Sequence, residues 1–198
     1  MDYPEYIKVE GKEYKINTDF RVAIKCNQLA EDNNVKNYER ALGIICMLFG
    51  NEAIDDAEKN PDLYEKFLKC ALIYMGCGKV VESNNKEQPD MDFVEDYSYI
   101  KTSFRSDFQI DLDKENMHWY EFMDLINGLS NSEIGNCCIL NRIRNLRNLD
   151  LSKIKDSKEK NRLKEAKEKV VLKKYSKEYN LTKEQEKSME ELNKLIGL

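Results

Sequence analysis

Few residues in this chain could do chemistry, and the one imidazole is the natural place to begin. His118 stands beside the only tryptophan, Trp119. Nucleophilic catalysis would need that ring near a Ser, Cys or Thr, with a carboxylate to orient it. Cys137 and Cys138 follow within twenty residues. Both continue the apolar run from Ile134 to Leu140, where cysteine acts as a small hydrophobe. The carboxylates Asp111, Asp113 and Glu115 open like a calcium-binding loop. The pattern then fails, because Asn116 stands where that loop needs Gly and Phe122 where it needs a bidentate Glu. Asp113 or a polar neighbour is better placed to cap the helix that follows. Gly76-Cys77-Gly78-Lys79 lacks the spacing and the Ser/Thr of a phosphate loop. The six cysteines contain no Cys-x-x-Cys pair and have only His118 to complete a zinc site. Reduced, buried thiols are expected. No catalytic, cofactor-binding or metal-ligating residue is assigned, no cofactor is expected, and the chain is not read as an enzyme.

Arg142, Arg144 and Arg147 form a basic cluster that could contact phosphates through charge, with little sequence preference. The charge of the whole chain argues for a different partner. Residues 1–139 carry 15 Lys and Arg against 27 Asp and Glu, whereas residues 140–198 carry 17 against 10. An acidic protein surface is thus a better partner for the basic end than nucleic acid.

These groups must be carried by helices. Three Pro and eight Gly are too few for an all-β design, and the 35 % charged composition is rich in helix-forming Glu and Lys. The exception is the start. Tyr6, Lys8 and Glu10, then Tyr14 and Ile16, alternate about Gly11-Lys12, which predicts a β-hairpin. Asn17 or Thr18 is expected to cap a helix over 18–32. Further helices are predicted over 36–49 and from Pro61 to Gly76. A polar linker over about 78–91 contains Pro89. Helices over 92–108, 115–127 and 131–147 follow. Asn127-Gly128 is expected to stop the middle one in a left-handed conformation.

Beyond Leu149 the chain alternates Lys and Glu, which predicts a long helix over 153–180 with a thin apolar seam. Thr182 and Gln185 fit a capping box, with Leu181 as its staple, ahead of a last helix over 183–196. The fold class is mainly α: a multi-helix bundle with a short N-terminal β-hairpin and charged C-terminal helices. Residues 1–150 form the hairpin and helical body, and 151–198 a Lys/Glu-rich extension. The core is expected to form where Trp119, Phe122, Leu125 and Ile126 meet Phe104, Phe108 and Leu112. Leu163, Val170, Tyr175, Met189, Leu192 and Ile196 are the partner-binding candidates, on a stripe too narrow for a core helix.

Three stretches carry a family resemblance. They are Ile16-Asn17-Thr18-Asp19-Phe20-Arg21, the aromatic stripe Tyr97, Ile100, Phe104 and Phe108, and Met117-His118-Trp119-Tyr120-Glu121-Phe122-Met123. In this order they resemble a family of bacteriophage tail-region proteins known as phage "gene product fifteen". The likeness runs from about Val9 to Tyr175 and rests on packing residues. It implies a hairpin, a helical body, and a setting near the tape-measure gene, where tail assembly chaperones are commonly encoded. The expected function is therefore a phage tail morphogenesis factor, a tail assembly chaperone laying helices against the tape-measure protein. The alternative is a minor structural component of the tail. Expected partners are tape-measure or other tail proteins, or a second copy of the chain. No run of 18 apolar residues exists, so no membrane span is expected. The expected location is the host bacterial cytoplasm or the virion tail, with an active phage or a prophage as source.

Overall fold

The computed structural model describes residues 3–79, 89–131 and 137–173. Among them are one two-stranded antiparallel hairpin and seven α-helices, so the protein is mainly α. The chain groups into two compact units. The first joins Met1–Glu87 to Phe108–Leu129, and the second joins Gln88–Asp107 to Ser130–Leu198. The compositional change near residue 150 falls inside the second unit. No helix among the described residues is long and apolar enough to cross a membrane.

The first unit begins with β1 (Tyr6–Val9) and β2 (Lys12–Lys15), paired so that Ile7 faces Tyr14. The turn is Glu10-Gly11, both at positive φ (48° and 83°), which matches the twist of a two-residue hairpin. Val9 and Tyr14 are buried, while Tyr6 is 54 % exposed. The inward side chains of the hairpin are therefore Val9 and Tyr14, and Ile16 just beyond it is buried as well. Tyr14 meets Phe67 edge-on at 4.8 Å, and its hydroxyl donates to Asp56, which Lys12 also holds. A lone hairpin is marginal in water, and these contacts give it a surface to rest on.

Four helices complete this unit: α1 (Phe20–Glu31), α2 (Asn37–Lys59), α3 (Asp62–Met75) and α5 (Trp119–Gly128). The second helix runs past its expected end at 49, but it is broken at Gly50 (φ 78°, ψ −179°). Only glycine adopts that backbone region readily. The break turns Ala53 and Ala57 inward beside the buried Ile45, Leu48 and Phe49 of the preceding stretch. Phe20 and Phe122 stack at 4.5 Å, Trp119 lies 5.8 Å from Phe122, and all three are essentially enclosed. Full burial of each such side chain contributes about 1.5–3 kcal/mol. Leu112 and Ile126 are buried with them, and Phe108 and Leu125 are half-buried. Gly128 does not stop α5 in a left-handed conformation. It is helical, and a side chain there would meet the Phe108 ring.

The second unit contains α4 (Tyr97–Phe108), α6 (Ile139–Asn148) and α7 (Ser157–Glu168), and its buried apolar side chains include Ile100, Phe104, Leu140, Ile143 and Leu172. Buried polar groups share this core. The Ser103 hydroxyl accepts from the Leu140 amide, and Asn141 donates to the Ser130 carbonyl. Asp107 accepts from the Ser130 amide at 2.8 Å. Burial pushes the Asp107 carboxyl up, but hydrogen bonds from Ser130 and Ser106 outweigh it and hold the group below the usual carboxylate range. The helix expected from 131 starts only at Ile139, because Cys138 is its cap: Sγ accepts from the Asn141 amide at 3.4 Å. The helix expected over 153–180 is also shorter. Asp150 caps a 3-10 turn at Leu151–Lys153, Asp156 caps α7, and the chain leaves the helix after Glu168. Arg147 donates to the Val170 carbonyl, and Leu172 is then buried. The last helix and its Thr182 capping box lie outside the described residues.

Candidate functional site

The segment Lys15–Asp19 leaves the hairpin in extended conformation and is stitched on both sides. Asn17 N–H donates to Leu48 O at 2.7 Å. Leu48 lies just before the Gly50 break, where a helix runs short of its own amide donors. On the other side Trp119 N–H donates to Thr18 O (2.8 Å), Phe20 N–H donates to Met117 O (3.1 Å), and Asp19 bridges His118 antiparallel. Asn17 and Thr18 spend their backbone groups on Leu48 and Trp119, and neither caps α1. Asp19 does so, accepting from the Arg21 amide at 2.8 Å.

Arg21 completes the arrangement. Its guanidinium holds both Asp19 carboxylate oxygens and donates to the Leu112 and Glu115 carbonyls, each at 2.7 Å. It also lies over the Phe20 ring at 4.6 Å. One side chain thereby fixes the acidic 111–115 turn against the start of α1. Sequence reasoning missed Arg21 as a positioning residue. The Asp-x-Arg spacing at a helix start was the available signal, since it allows a cap and an ion pair on the same carboxylate.

His118, not Asp113, caps α5. The Tyr120 amide donates to Nδ1 at 3.0 Å, and Nε2 lies 3.0 Å from Pro4 O. An amide can only donate and a carbonyl can only accept, so this ring is neutral with its proton on Nε2. Both nitrogens are committed to backbone groups, which leaves neither placed to activate a nucleophile. Tyr3 stacks on the ring at 5.0 Å and donates to Asp124. Trp119 Nε1 donates to Met75 O, which ties α5 to the end of α3. The two short sequence patterns are thus two halves of one joint.

The joint walls a groove of about 650 Å³, lined by Asn17, Cys46, Leu48, Gly50 and Asn116 together with His118. Its size is that of a ligand cleft, and its walls mix extended backbone with apolar side chains. It is the candidate binding site of the first unit.

The basic cluster of the second unit is used internally. Arg147 grips Asp96 through two hydrogen bonds (2.6 and 2.8 Å) and donates to Asp90 O. Asp96 is 1 % exposed. Arg144 pairs with the Asp90 carboxylate at 3.1 Å, and of the three only Arg142 is exposed. Leu163 and Val170 are half-buried, while Tyr175, Met189, Leu192 and Ile196 lie outside the described residues. All six cysteines are free thiols, and only Cys26 and Cys138 are buried. Among the described residues no cluster of His, Cys, Asp or Glu could hold a metal ion.

A family model described as bacteriophage Gp15 protein matches residues 2–172, which includes both halves of the joint and ends at buried Leu172. The chain belongs to the bacteriophage Gp15 protein family. No curated protein and no solved structure matches it. Membership makes it a phage structural or morphogenesis protein. Within this Gp15 chain the matched region spans the hairpin, the seven helices found among the described residues and the Arg147 clasp.

Proposed function

We propose that the protein is a tail morphogenesis factor, a tail assembly chaperone that works by binding the tape-measure protein. Family membership over residues 2–172 carries this reading, because it supplies the phage setting. Three features support binding rather than chemistry. The sole imidazole spends both nitrogens on backbone groups. Arg144 and Arg147 serve internal carboxylates, which takes two of three arginines from any nucleic-acid surface. The groove beside His118 offers extended backbone and apolar side chains to a peptide segment.

The C-terminal stripe belongs to the same proposal in altered form. Arg147 donates to the Val170 carbonyl and the Lys173 amide donates to Glu95, so this part of the stripe is engaged within the second unit. The partner-capturing segment we propose is residues 174–198, with Tyr175, Met189, Leu192 and Ile196. Co-purification with the tape-measure protein tests this. Removing residues 174–198 should abolish capture while the Trp119 fluorescence of the body stays native. Full capture by the truncated chain would show that these residues are not the recognition element. Mass spectrometry of purified particles decides the remaining question: a chaperone is absent from the mature tail, and a minor structural component is retained.

A further inference from the structure

We infer that His118 is a proton-operated latch: the neutral ring holds the N-terminal segment against α5, and a second proton on the ring opens that hold. This inference concerns the joint itself and does not depend on which partner the protein binds. In the neutral state Nδ1 accepts from the Tyr120 amide and Nε2–H donates to Pro4 O, both at 3.0 Å. A proton taken from solvent must go to Nδ1, the only nitrogen with a lone pair in the ring plane. Nδ1–H then points at the Tyr120 N–H, and the helix loses its cap. The new charge also sits at the positive end of α5. The ring can escape only by turning, which carries Nε2 off Pro4 and the ring face off Tyr3.

The surroundings offer the imidazolium little in return. From the N-terminal segment it faces Tyr3, from α3 Tyr74 at 6.0 Å, and from α5 Tyr120 at 5.3 Å, with Glu121 the one acidic residue in that first helical turn. All three phenols are neutral wherever an imidazole titrates. The hydrogen bond to Asp124 pushes Tyr3 up, and burial pushes Tyr74 and Tyr120 up. Across the bridge the Asp19 carboxylate is already gripped by Arg21, and Asp124 is engaged by Tyr3. Lys15 of β2 and Cys46 of α2 line the same groove, and neither brings an anion. The tyrosine faces do attract a cation. Their centroids are 5.0–6.0 Å away, whereas the opposing N–H is at 3.0 Å, so the direct conflict decides the outcome.

A single histidine makes the test unambiguous. Nitrogen-15 spectra of the full chain near pH 8 should show the proton on Nε2; a proton on Nδ1 would overturn the inference. Between about pH 8 and pH 5, the range in which imidazoles change charge, three signals should move with one midpoint: the ring nitrogens, the Tyr120 amide, and the Overhauser contact between the Tyr3 and His118 rings. Tyr120 amide exchange, corrected for its intrinsic pH dependence, should rise about five- to tenfold, the factor that loss of a helix cap implies. His118→Asn and His118→Ser keep a capping oxygen but cannot titrate, so exchange should stay flat in whichever retains native Trp119 fluorescence. If the wild-type ring titrates while the Tyr120 amide and the Tyr3 contact stay unchanged, His118 is a cap and not a latch. The same conclusion follows if the acid response survives in the variants.

Discussion

The two units solve the same problem with different materials. The first is held by rings and aliphatic side chains, with Phe20, Phe67, Trp119 and Phe122 all enclosed. The second encloses Asp96, Ser103 and Asn141, and closes around an Arg147–Asp96 clasp. An apolar core loses stability whenever atoms are removed. A buried ion pair behaves otherwise: losing one partner is costly, yet losing both can be nearly neutral, because desolvation of the charges cancels much of their attraction.

That difference gives the largest expected effects. Trp119→Ala should cost about 3–5 kcal/mol, as large-to-small core changes do. Arg147→Met should cost a similar amount, roughly 3–5 kcal/mol, by stranding the Asp96 charge. The double variant Arg147→Met with Asp96→Leu should then recover more than half of the loss in urea unfolding. If the double variant is as unstable as the single one, the clasp matters through the Val170 and Asp90 carbonyls it holds. The second unit would then be fastened by its backbone contacts and not by the charge pair.

The same contrast explains what could be read in advance. The aromatic stripe and the helix around Trp119 were legible because apolar spacing reports directly on a buried face. The hairpin was legible from its turn residues and the alternation on either side of them. The second unit was harder. Arg144 and Arg147 read as a surface patch because their carboxylate partners lie more than fifty residues away, Asp90 in a stretch that reads as linker and Asp96 at the start of the helix after it. The Lys/Glu pattern beyond 153 predicts one long helix, since periodicity cannot show that Arg147 will pin Val170. In the first unit the misses were polar too. His118 as a cap and Asp19 displacing Thr18 both follow from tertiary backbone pairing, which leaves no local periodic trace.

A smaller effect sharpens the comparison inside the first unit. Gly50→Ala places a methyl in open space, with nothing within 4 Å, so its whole cost is backbone strain at φ 78°. About 1–3 kcal/mol is expected. A neutral result would mean that the break in α2 can relax, and that the groove it walls is adjustable. His118→Ala removes a cap and a ring stack but no core volume. It should cost about 0.5–2 kcal/mol and remain milder than Trp119→Ala. Thermal melts showing the reverse order would move the centre of the unit from its rings to its polar joint.

The smallest effect concerns reactivity without change in stability. Cys26 is 1 % exposed on the inner face of α1, and burial alone pushes its thiol up to about 12. Only the thiolate attacks an alkylating reagent. Near pH 8.5, more than three pH units below that value, the thiolate fraction is below about 0.1 %. Burial also blocks access, so both factors act in the same direction. Cys26 should therefore be among the last of the six to be modified by iodoacetamide in the native protein. In denaturant it should react at an ordinary rate, and all six should be counted without reductant. Raising the pH toward 11 in the folded state should not by itself bring Cys26 to the rate of an exposed thiol, because access would still depend on opening of the apolar core. If Cys26 reacts early at pH 8.5, α1 opens away from Phe122 and Trp119 on the labelling timescale. The ring-packed unit would then be the looser of the two, despite its enclosed Phe20, Phe67, Trp119 and Phe122.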